Sequence, residues 1–380
     1  MEVQRERSLL PAARAAHDVG SAKTRLAYLD GLRGVAIGMV LVFHAYARWA
    51  HLMPFGATFA VPPLAQGWVG VELFFIISGF VIFLTLERSR SLGDFALRRW
   101  RRLMPAMLVA TALIVVTAPL LPERPQGAVR LADVLVGLTF LDPKWWLSLH
   151  MEVAPIEGAF WSLFVEVQFY AVAGLAYFIA GRRGALAALI GLYGAVVLLQ
   201  AGAIPQGPFL YRAAFALTDR LGALYYPWFI AGALLYVFAE TRERHWLWLG
   251  VAALAAAVVT SEPAGPWLAG KLAFAAVALL FLAALLWPRL QRSLSGRGVQ
   301  FLGFVSYPLY LVHENAVVAL TVKLGHAAPV IPGWALPLLP MLAVVAVAWW
   351  IARYGEPAVR RALTWRPQRH GAGMAGAVLH

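Results

Sequence analysis

The sequence contains no cysteine among its 380 residues. This absence excludes disulfide bonds, thiolate metal sites and cysteine nucleophiles. Charged residues are also scarce, because Asp, Glu, Lys and Arg make up 13% of the chain, whereas soluble proteins average about 25%. The sequence shows no Walker A, HExxH or GxSxG pattern, and no dinucleotide-binding glycine pattern in a suitable context.

Apolar residues are abundant instead, at 61% of the chain, and the mean hydropathy is +0.70. Runs of about twenty apolar residues recur, and each is long enough to cross a bilayer as a helix. We therefore predict an all-α polytopic membrane protein with about ten transmembrane helices. The predicted spans lie near 27–46, 67–86, 103–121, 158–180, 184–201, 221–239, 246–261, 268–287, 301–324 and 334–352.

The balance of charge predicts the orientation of these spans. The chain has 32 Lys and Arg against 19 Asp and Glu, a formal net charge of +13. In a membrane protein such an excess collects on cytoplasmic loops, so we expect no nucleic-acid partner. With both termini inside, the predicted cytoplasmic segments hold 23 of the 32 basic residues. We therefore predict two cytoplasmic tails, a flexible basic one at 1–25 and a second at 358–380.

A shorter apolar segment at 131–141 needs a separate interpretation. Its eleven residues would rise only about 16 Å as a helix, about half of a bilayer core. A crossing at this point would invert every later loop and turn the basic loops outward. We predict that the segment is re-entrant or interfacial.

Ionisable side chains inside the predicted spans are costly and are candidates for function. Asp30 and Arg33 lie in the first turns of the first span, and His44 follows Arg33 by about 16 Å along the helix axis. Glu166 and His313 fall at a depth similar to that of His44 in their own predicted spans. These depths are compatible with one cavity lined by imidazole and carboxylate groups.

Each of these groups also has a structural interpretation. Asp30 and Arg33 are three residues apart and suit a helical ion pair or snorkelling to the interface. His44 alone suits a hydrogen bond between helices, and we expect Glu314 to be structural. Glu166 is harder to dismiss, because a buried carboxylate needs a partner or a proton.

A dense basic cluster lies just before Pro105 of the third predicted span. It comprises Arg98, Arg99, Arg101 and Arg102. One interpretation is a signal that orients the helix by the positive-inside rule. The other is a polyanion site, because arginine binds phosphate through paired hydrogen bonds. Such a site at a cytoplasmic helix entrance suits a nucleotide-like donor.

Five motifs follow one another along the chain: YLDGLRGVAIGMVLVFH, GVELFFIISGF, RRWRRLMP, FWSLFVEVQFY and SYPLYLVH. In this order they resemble the motifs of the acyltransferase-3 family of integral membrane acyltransferases. In particular, Arg33 and His44 reproduce its Arg/Lys-x10-His signature, and Arg99 and Arg102 stand where its RxxR pair precedes a proline. The resemblance covers roughly residues 26–357.

The resemblance implies transfer of an acyl group, usually acetyl, from cytoplasmic acyl-CoA to a hydroxyl of a carbohydrate. Family acceptors include exopolysaccharide, lipopolysaccharide and peptidoglycan sugars, and glycosylated small molecules. Acyl-CoA is then a co-substrate, and we expect no permanently bound cofactor and no metal. Many members carry a fused SGNH hydrolase-like domain, and we expect residues 26–357 to act as an acyltransferase without it. The implied location is the bacterial cytoplasmic (inner) membrane, with several passes.

The resemblance also implies roles for particular residues. His44 is the expected general base or transient acyl carrier, and Glu166 the residue that orients His44 or the acceptor. Arg33 is expected to hold the donor near the cytoplasmic mouth. The arginines expected to bind the phosphates of CoA are Arg98, Arg99 and Arg102. Further candidate site residues are Asp30, Ser78, Trp161, Ser306, Tyr310 and His313.

Two other classes of protein compete with this interpretation. A membrane transporter of a glycan or lipid-linked intermediate would also explain buried charges, but it predicts inverted repeats or paired broken helices, and no internal repeat is visible in the sequence. A structural membrane protein would have no need of buried ionisable groups.

Overall fold

The computed structural model describes residues 27–56, 62–204, 207 and 209–364. The predicted N-terminal tail, residues 1–25, lies outside these ranges. The last described helix runs from Glu356 to Thr364, so helix extends into the stretch that the sequence assigned to the C-terminal tail. The rest of that stretch lies outside the described residues.

The regular structure of the described residues is entirely helical, which confirms the all-α prediction. A few short 3-10 turns and a one-turn helix at Pro62–Ala65 connect the longer elements. The labelled helices are α1 (Ala27–Arg48), α2 (Gly70–Glu87), α3 (Leu92–Thr117), α4 (Val134–Thr139), α5 (Pro143–Leu147), α6 (Phe160–Gln200), α7 (Phe209–Arg220), α8 (Tyr226–Thr241), α9 (Arg244–Thr260), α10 (Trp267–Leu286), α11 (Pro288–Leu294), α12 (Arg297–Ala327), α13 (Leu338–Trp350) and α14 (Glu356–Thr364).

Seven of the described helices are long and apolar enough to cross a membrane, so the chain is a polytopic membrane protein. The 41-residue helix α6 contains a kink at Ala180 and Gly181, where two predicted spans meet. The apolar helix α9 is shorter than the seven, at 17 residues. Helix α12 has 31 residues and carries polar groups such as His313 and Glu314. The count of ten spans and the side of the termini stay predictions.

The segment predicted to be re-entrant or interfacial is a 3-10 turn followed by the six-residue helix α4. Six residues rise about 9 Å, far less than a bilayer core of about 30 Å. The helix packs on longer ones, because a Cβ on Gly137 would lie 3.3 Å from both Met107 of α3 and Phe160 of α6. It ends at Phe140, whose φ is 56°.

Glycines set the closest approach between helices α1 and α12. A Cβ on Gly34 would lie 2.2 Å from the carbonyl oxygen of Val299, and one on Gly303 would lie 2.0 Å from that of Asp30. Backbones that approach this closely leave no room for a side chain, as in other small-residue contacts between membrane helices. This contact fixes α1 against α12 and brings His44 towards His313.

We expect Gly303→Ala to destabilise the protein by about 1–3 kcal/mol, because the new methyl group overlaps the backbone of α1. Gly191→Ala is the matched control, since a Cβ there meets nothing within 4 Å. An alanine at this position should be neutral or stabilise α6 slightly. The test is thermal unfolding of the purified protein in detergent. Equal unfolding temperatures for the two variants would contradict the close contact.

Candidate active site

A cavity between α1, α2, α3, α6 and α12 gathers most of the candidate site residues. It encloses about 770 Å³ not occupied by atoms, part of it open to solvent. We name it the arginine cavity, because three guanidinium groups line it. Its polar and charged lining residues are Arg33, Ser78, Arg99, Arg102, Ser162, Glu166, Tyr170, Ser306, Tyr307 and Tyr310.

The three arginines of this cavity are only partly neutralised by the protein. Arg33 donates to Asp30 at 2.6 Å, which confirms that these two form a helical ion pair. Arg99 donates from Nη2 to the hydroxyl of Thr85 at 2.9 Å, while its Nε is buried without a hydrogen-bond partner. The guanidinium group of Arg102 lies 5.7 Å from the ring centre of Tyr307. The cavity therefore has spare donor capacity and positive charge for an anionic ligand.

Arg98 stands apart from these arginines. It is exposed on α3 and donates to Asp94 at 3.0 Å. Successive residues of a helix point about 100° apart, so Arg98 leaves the face that carries Arg99 and Arg102. Arg98 is not among the residues that line the arginine cavity, so its role in phosphate binding stays a prediction.

Glu166 is the carboxylate of the arginine cavity. Its Oε1 accepts hydrogen bonds from Ser78 and Tyr170, both at 2.6 Å. The expected role of Glu166, to orient His44 or the acceptor, stays a prediction. Among the described residues, the carboxylate that approaches His44 is Glu314.

His44 and His313 form a pair of imidazoles between α1 and α12. Nε2 of His313 lies 3.2 Å from Nδ1 of His44, and the ring centres are 4.8 Å apart. His313 is fully buried. His44 opens a π-helical turn, His44–Arg48, at the end of α1; such turns occur frequently at functional sites.

The neighbouring carbonyl groups define where the protons of this pair lie. Nδ1 of His44 is 2.9 Å from the carbonyl oxygen of Val40, and Nδ1 of His313 is 3.0 Å from that of Tyr310. A carbonyl oxygen only accepts, so both Nδ1 atoms donate. The single Nδ1–H of His44 is then shared between the carbonyl oxygen of Val40 and Nε2 of His313, and Nε2 of His44 keeps its lone pair when the ring is neutral.

Glu314 faces this basic nitrogen. Its Oε1 lies 3.6 Å from Nε2 of His44, which is too long for a hydrogen bond but close enough for strong attraction to a protonated ring. Oε1 also accepts from Nε1 of Trp49 at 3.0 Å, and Oε2 is buried without a hydrogen-bond partner. The sequence interpretation treated Glu314 as structural, although its place directly after His313 was a usable signal.

A second buried carboxylate lies close to Glu314 in the loop before α6. Glu157 accepts from the backbone N–H of Asn315 at 3.1 Å and lies 3.8 Å from the guanidinium group of Arg124. Burial raises the pKa of Glu157 to about 8; the nearby Glu314 acts in the same direction and Arg124 opposes both. The sequence analysis did not identify Arg124 or Glu157, because both lie outside the motifs.

Tyr310 connects the arginine cavity to the histidines. It lines the cavity, and its ring centre is 5.6 Å from that of His313. Its hydroxyl donates to the carbonyl oxygen of Ala159 at 2.7 Å and is 2.5 Å from the hydroxyl of Ser162. His44 is not among the residues that line the cavity. A series of contacts from Tyr310 through His313 to His44 therefore connects the arginine cavity to the imidazole pair.

The remaining candidates divide between the cavity and its rim. Ser306 is buried in the cavity wall and donates to the carbonyl oxygen of Gly303 at 2.8 Å. Trp161 lies at the start of α6, is 38% exposed and contacts Phe75 and Tyr225. The described residues include no group of three or more His, Asp or Glu side chains that could hold a metal ion.

Comparison with known proteins gives a family match that covers most of the chain. The acyltransferase domain of the acyltransferase-3 family matches residues 26–353. The putative peptidoglycan O-acetyltransferase YrhL of Bacillus subtilis is 28% identical over 334 residues, which is 77% of this chain and 49% of the relative. No solved structure matches the chain significantly.

Two further relatives match over shorter stretches. The peptidoglycan O-acetyltransferase OatA of Listeria monocytogenes is 28% identical over 158 residues, 38% of this chain and 23% of the relative. The putative O-acetyltransferase SACOL0978 of Staphylococcus aureus is 29% identical over 155 residues, 37% of this chain and 23% of the relative. The chain thus spans half or less of the length of these relatives.

The motifs, the helical membrane architecture and the match to residues 26–353 agree with one another. They favour the acyltransferase interpretation over the transporter interpretation. The chain belongs to the acyltransferase-3 family.

Proposed function

We propose that the protein transfers an acyl group, acetyl in the first instance, from cytoplasmic acyl-CoA to a hydroxyl of a carbohydrate. One observation carries this proposal: a cavity lined by three arginines is connected, through Tyr310 and His313, to the largely buried imidazole of His44, whose Nε2 is free to take a proton. The cavity suits a phosphorylated donor, and the imidazole suits activation of a hydroxyl group.

The donor end of the site is the arginine cavity. Arg99 and Arg102 would bind phosphates of acyl-CoA, with the unpartnered Nε of Arg99 as one donor. Arg33 is held by Asp30 and lines the same cavity. The acyl end of the donor would then lie towards Tyr310 and His313. Glu166 limits the positive charge of the empty cavity and orients Ser78 and Tyr170.

The reacting end of the site is Nε2 of His44. It takes the proton of the acceptor hydroxyl as that oxygen attacks the thioester carbonyl carbon. The new C–O bond forms, the C–S bond breaks, and the proton passes from the imidazolium ion to the thiolate of CoA. Glu314 stabilises the imidazolium ion, and His313 holds the ring through Nδ1–H. In a second form of the mechanism, Nε2 of His44 carries the acyl group transiently.

The names of the relatives support a glycan acceptor. Two of them are named as peptidoglycan O-acetyltransferases, one as putative, so a carbohydrate hydroxyl is the acceptor class we propose here. We place the protein in the bacterial cytoplasmic membrane. The charge distribution supports an orientation in which the arginine cavity opens to the cytoplasm. Trp161, at the start of α6, and Tyr225, just before α8, then lie near the opposite face.

Removal of the two motif arginines, Arg99 and Arg102, should strongly weaken donor binding. We expect Arg99→Ala/Arg102→Ala to weaken acetyl-CoA binding about 100-fold or more, since two charge-assisted hydrogen bonds are worth about 1.5–3 kcal/mol each. The measurement is isothermal titration of acetyl-CoA into the protein in nanodiscs. Arg98→Ala is the control, because Arg98 is exposed and paired with Asp94. Unchanged binding in the double variant would contradict the donor assignment.

Changes at the histidine pair should affect turnover and leave donor binding intact. We expect His44→Ala to lower kcat for release of free CoA about 10²–10⁴-fold, the usual contribution of a general base. Glu314→Gln should lower kcat as well, with an unchanged KM for acetyl-CoA. The control is Glu123→Gln, which removes an ion pair to Lys323 on the same helix α12. Full activity of His44→Ala would refute both forms of the mechanism.

A further inference from the structure

A second polar pocket lies at the N-terminal ends of α6 and α8, where the charge distribution predicts the extracytoplasmic face. We name it the outer pocket. It encloses about 800 Å³ not occupied by atoms, part of it open to solvent, and small-molecule sites measure about 300–1,000 Å³. Its lining includes Asp142, Lys144, Trp161, Gln168, Thr218 and Tyr225.

Ionic contacts between the loop helices α5 and α7 hold one side of this pocket in place. Nζ of Lys144 lies 2.6 Å from Oδ1 of Asp219. The guanidinium group of Arg220 lies 5.8 Å from the ring centre of Trp145 and donates to the hydroxyl of Ser148 at 3.0 Å. Helices α5 and α7 are thus fixed to each other and form one wall of the outer pocket, beside the N-terminal ends of α6 and α8.

Gln168 supplies a buried hydrogen-bond donor that the protein does not use. Its exposed fraction is 8%, and its Nε2 has no hydrogen-bond partner although it lines the pocket. A buried amide left unpaired costs about 1–3 kcal/mol. The backbone at Gly222 passes close to this side chain: a Cβ there would lie 3.0 Å from Val165 and 3.2 Å from Oε1 of Gln168, and the φ of Gly222 is 62°. A hydroxyl or carbonyl oxygen of a ligand would satisfy the amide.

Aromatic rings form the apolar part of the outer pocket. The rings of Trp161 and Tyr225 are 5.1 Å apart, and Trp161 remains 38% exposed. Both rings also contact Phe75, which lines the arginine cavity. These rings therefore stand between the two spaces, so a ligand in the outer pocket lies outside the arginine cavity.

The chemistry of the lining selects one class of ligand. Asp219 is neutralised by Lys144, and Asp142 adds a carboxylate, so the pocket does not favour a phosphate or a nucleotide. The amide of Gln168 and the hydroxyl of Tyr225 suit a ligand with several hydroxyl groups, and the exposed ring of Trp161 suits an apolar C–H face. A neutral sugar ring combines both properties.

We propose that the outer pocket binds one pyranose unit of the acceptor glycan, next to the unit that is acylated. The proposal rests on the proposed function for its acceptor, and its test does not need the donor. Trp161 packs on the sugar face and Gln168 donates to a ring substituent. A polymeric acceptor then has contacts at two successive units, whereas a monosaccharide has contacts only at the reacting unit.

The test is saturation-transfer NMR on the protein in nanodiscs, without acyl-CoA. The probes are the neutral trisaccharides of N-acetylglucosamine, glucose and galactose. We expect saturation of sugar ring protons for at least one probe with the wild type, and at least a fivefold smaller effect with Trp161→Ala and with Gln168→Leu. Trp267→Ala is the control, because Trp267 is exposed at 64% and lies outside the outer pocket.

Kinetics then connect the outer pocket to the reaction. With an accepted trisaccharide, Trp161→Ala and Gln168→Leu should raise the KM for acceptor at least tenfold and leave the KM for acetyl-CoA and that for the monosaccharide unchanged. Equal saturation in all variants, or none in the wild type with any probe, would overturn the proposal. Sugar binding without any acetyl-CoA binding would refute the proposed function and leave the sugar site in place.

Discussion

The structure depends on the close contact between helices α1 and α12. At Gly34 and Gly303 the two backbones lie so close together that there is no room for a side chain between them. This approach brings His44 of α1 within 3.2 Å of His313 and 3.6 Å of Glu314 on α12, so these three polar groups meet inside the protein. Unpaired groups of this kind are costly in a bilayer, and the pairing therefore stabilises the helix contact that creates it.

The site that follows from this contact has two chemically different halves. The arginine cavity carries spare positive charge and open donors, which are the properties of a phosphate-binding site. In the imidazole pair, backbone carbonyl oxygens accept from both Nδ1 atoms, so Nε2 of His44 is the nitrogen that can take a proton. Tyr310 lines the arginine cavity and contacts His313, so a thioester that extends past Tyr310 would bring its acyl group towards the imidazole pair. The rings of Phe75, Trp161 and Tyr225 lie between the arginine cavity and the outer pocket.

The sequence predicted the all-helical class, a polytopic membrane protein and seven of the ten polar residues that line the arginine cavity, because apolar length, buried charge and motif order are local signals. It gave Glu166 and His44 similar depths in the membrane, but depth along a helix gives no direction around its axis. The structure turns Glu166 towards Ser78 and Tyr170, and it brings Glu314 to His44. Arg124, Glu157 and Gln168 escaped sequence analysis for another reason: their importance arises from tertiary contacts with segments distant along the chain.

The central claim is that one path joins Arg99 and Arg102 to Nε2 of His44. The most direct measurement is a structure of the wild-type protein with a thioether analogue of acetyl-CoA, in which the scissile bond is stable. The account predicts phosphate oxygens within hydrogen-bond distance of both arginines, and the acyl group within reach of Nε2 of His44 or of a hydroxyl held there, at the roughly 3–3.5 Å of a reactive contact. Phosphates bound away from both arginines, or an acyl group on the far side of the arginine cavity from Tyr310, would contradict it.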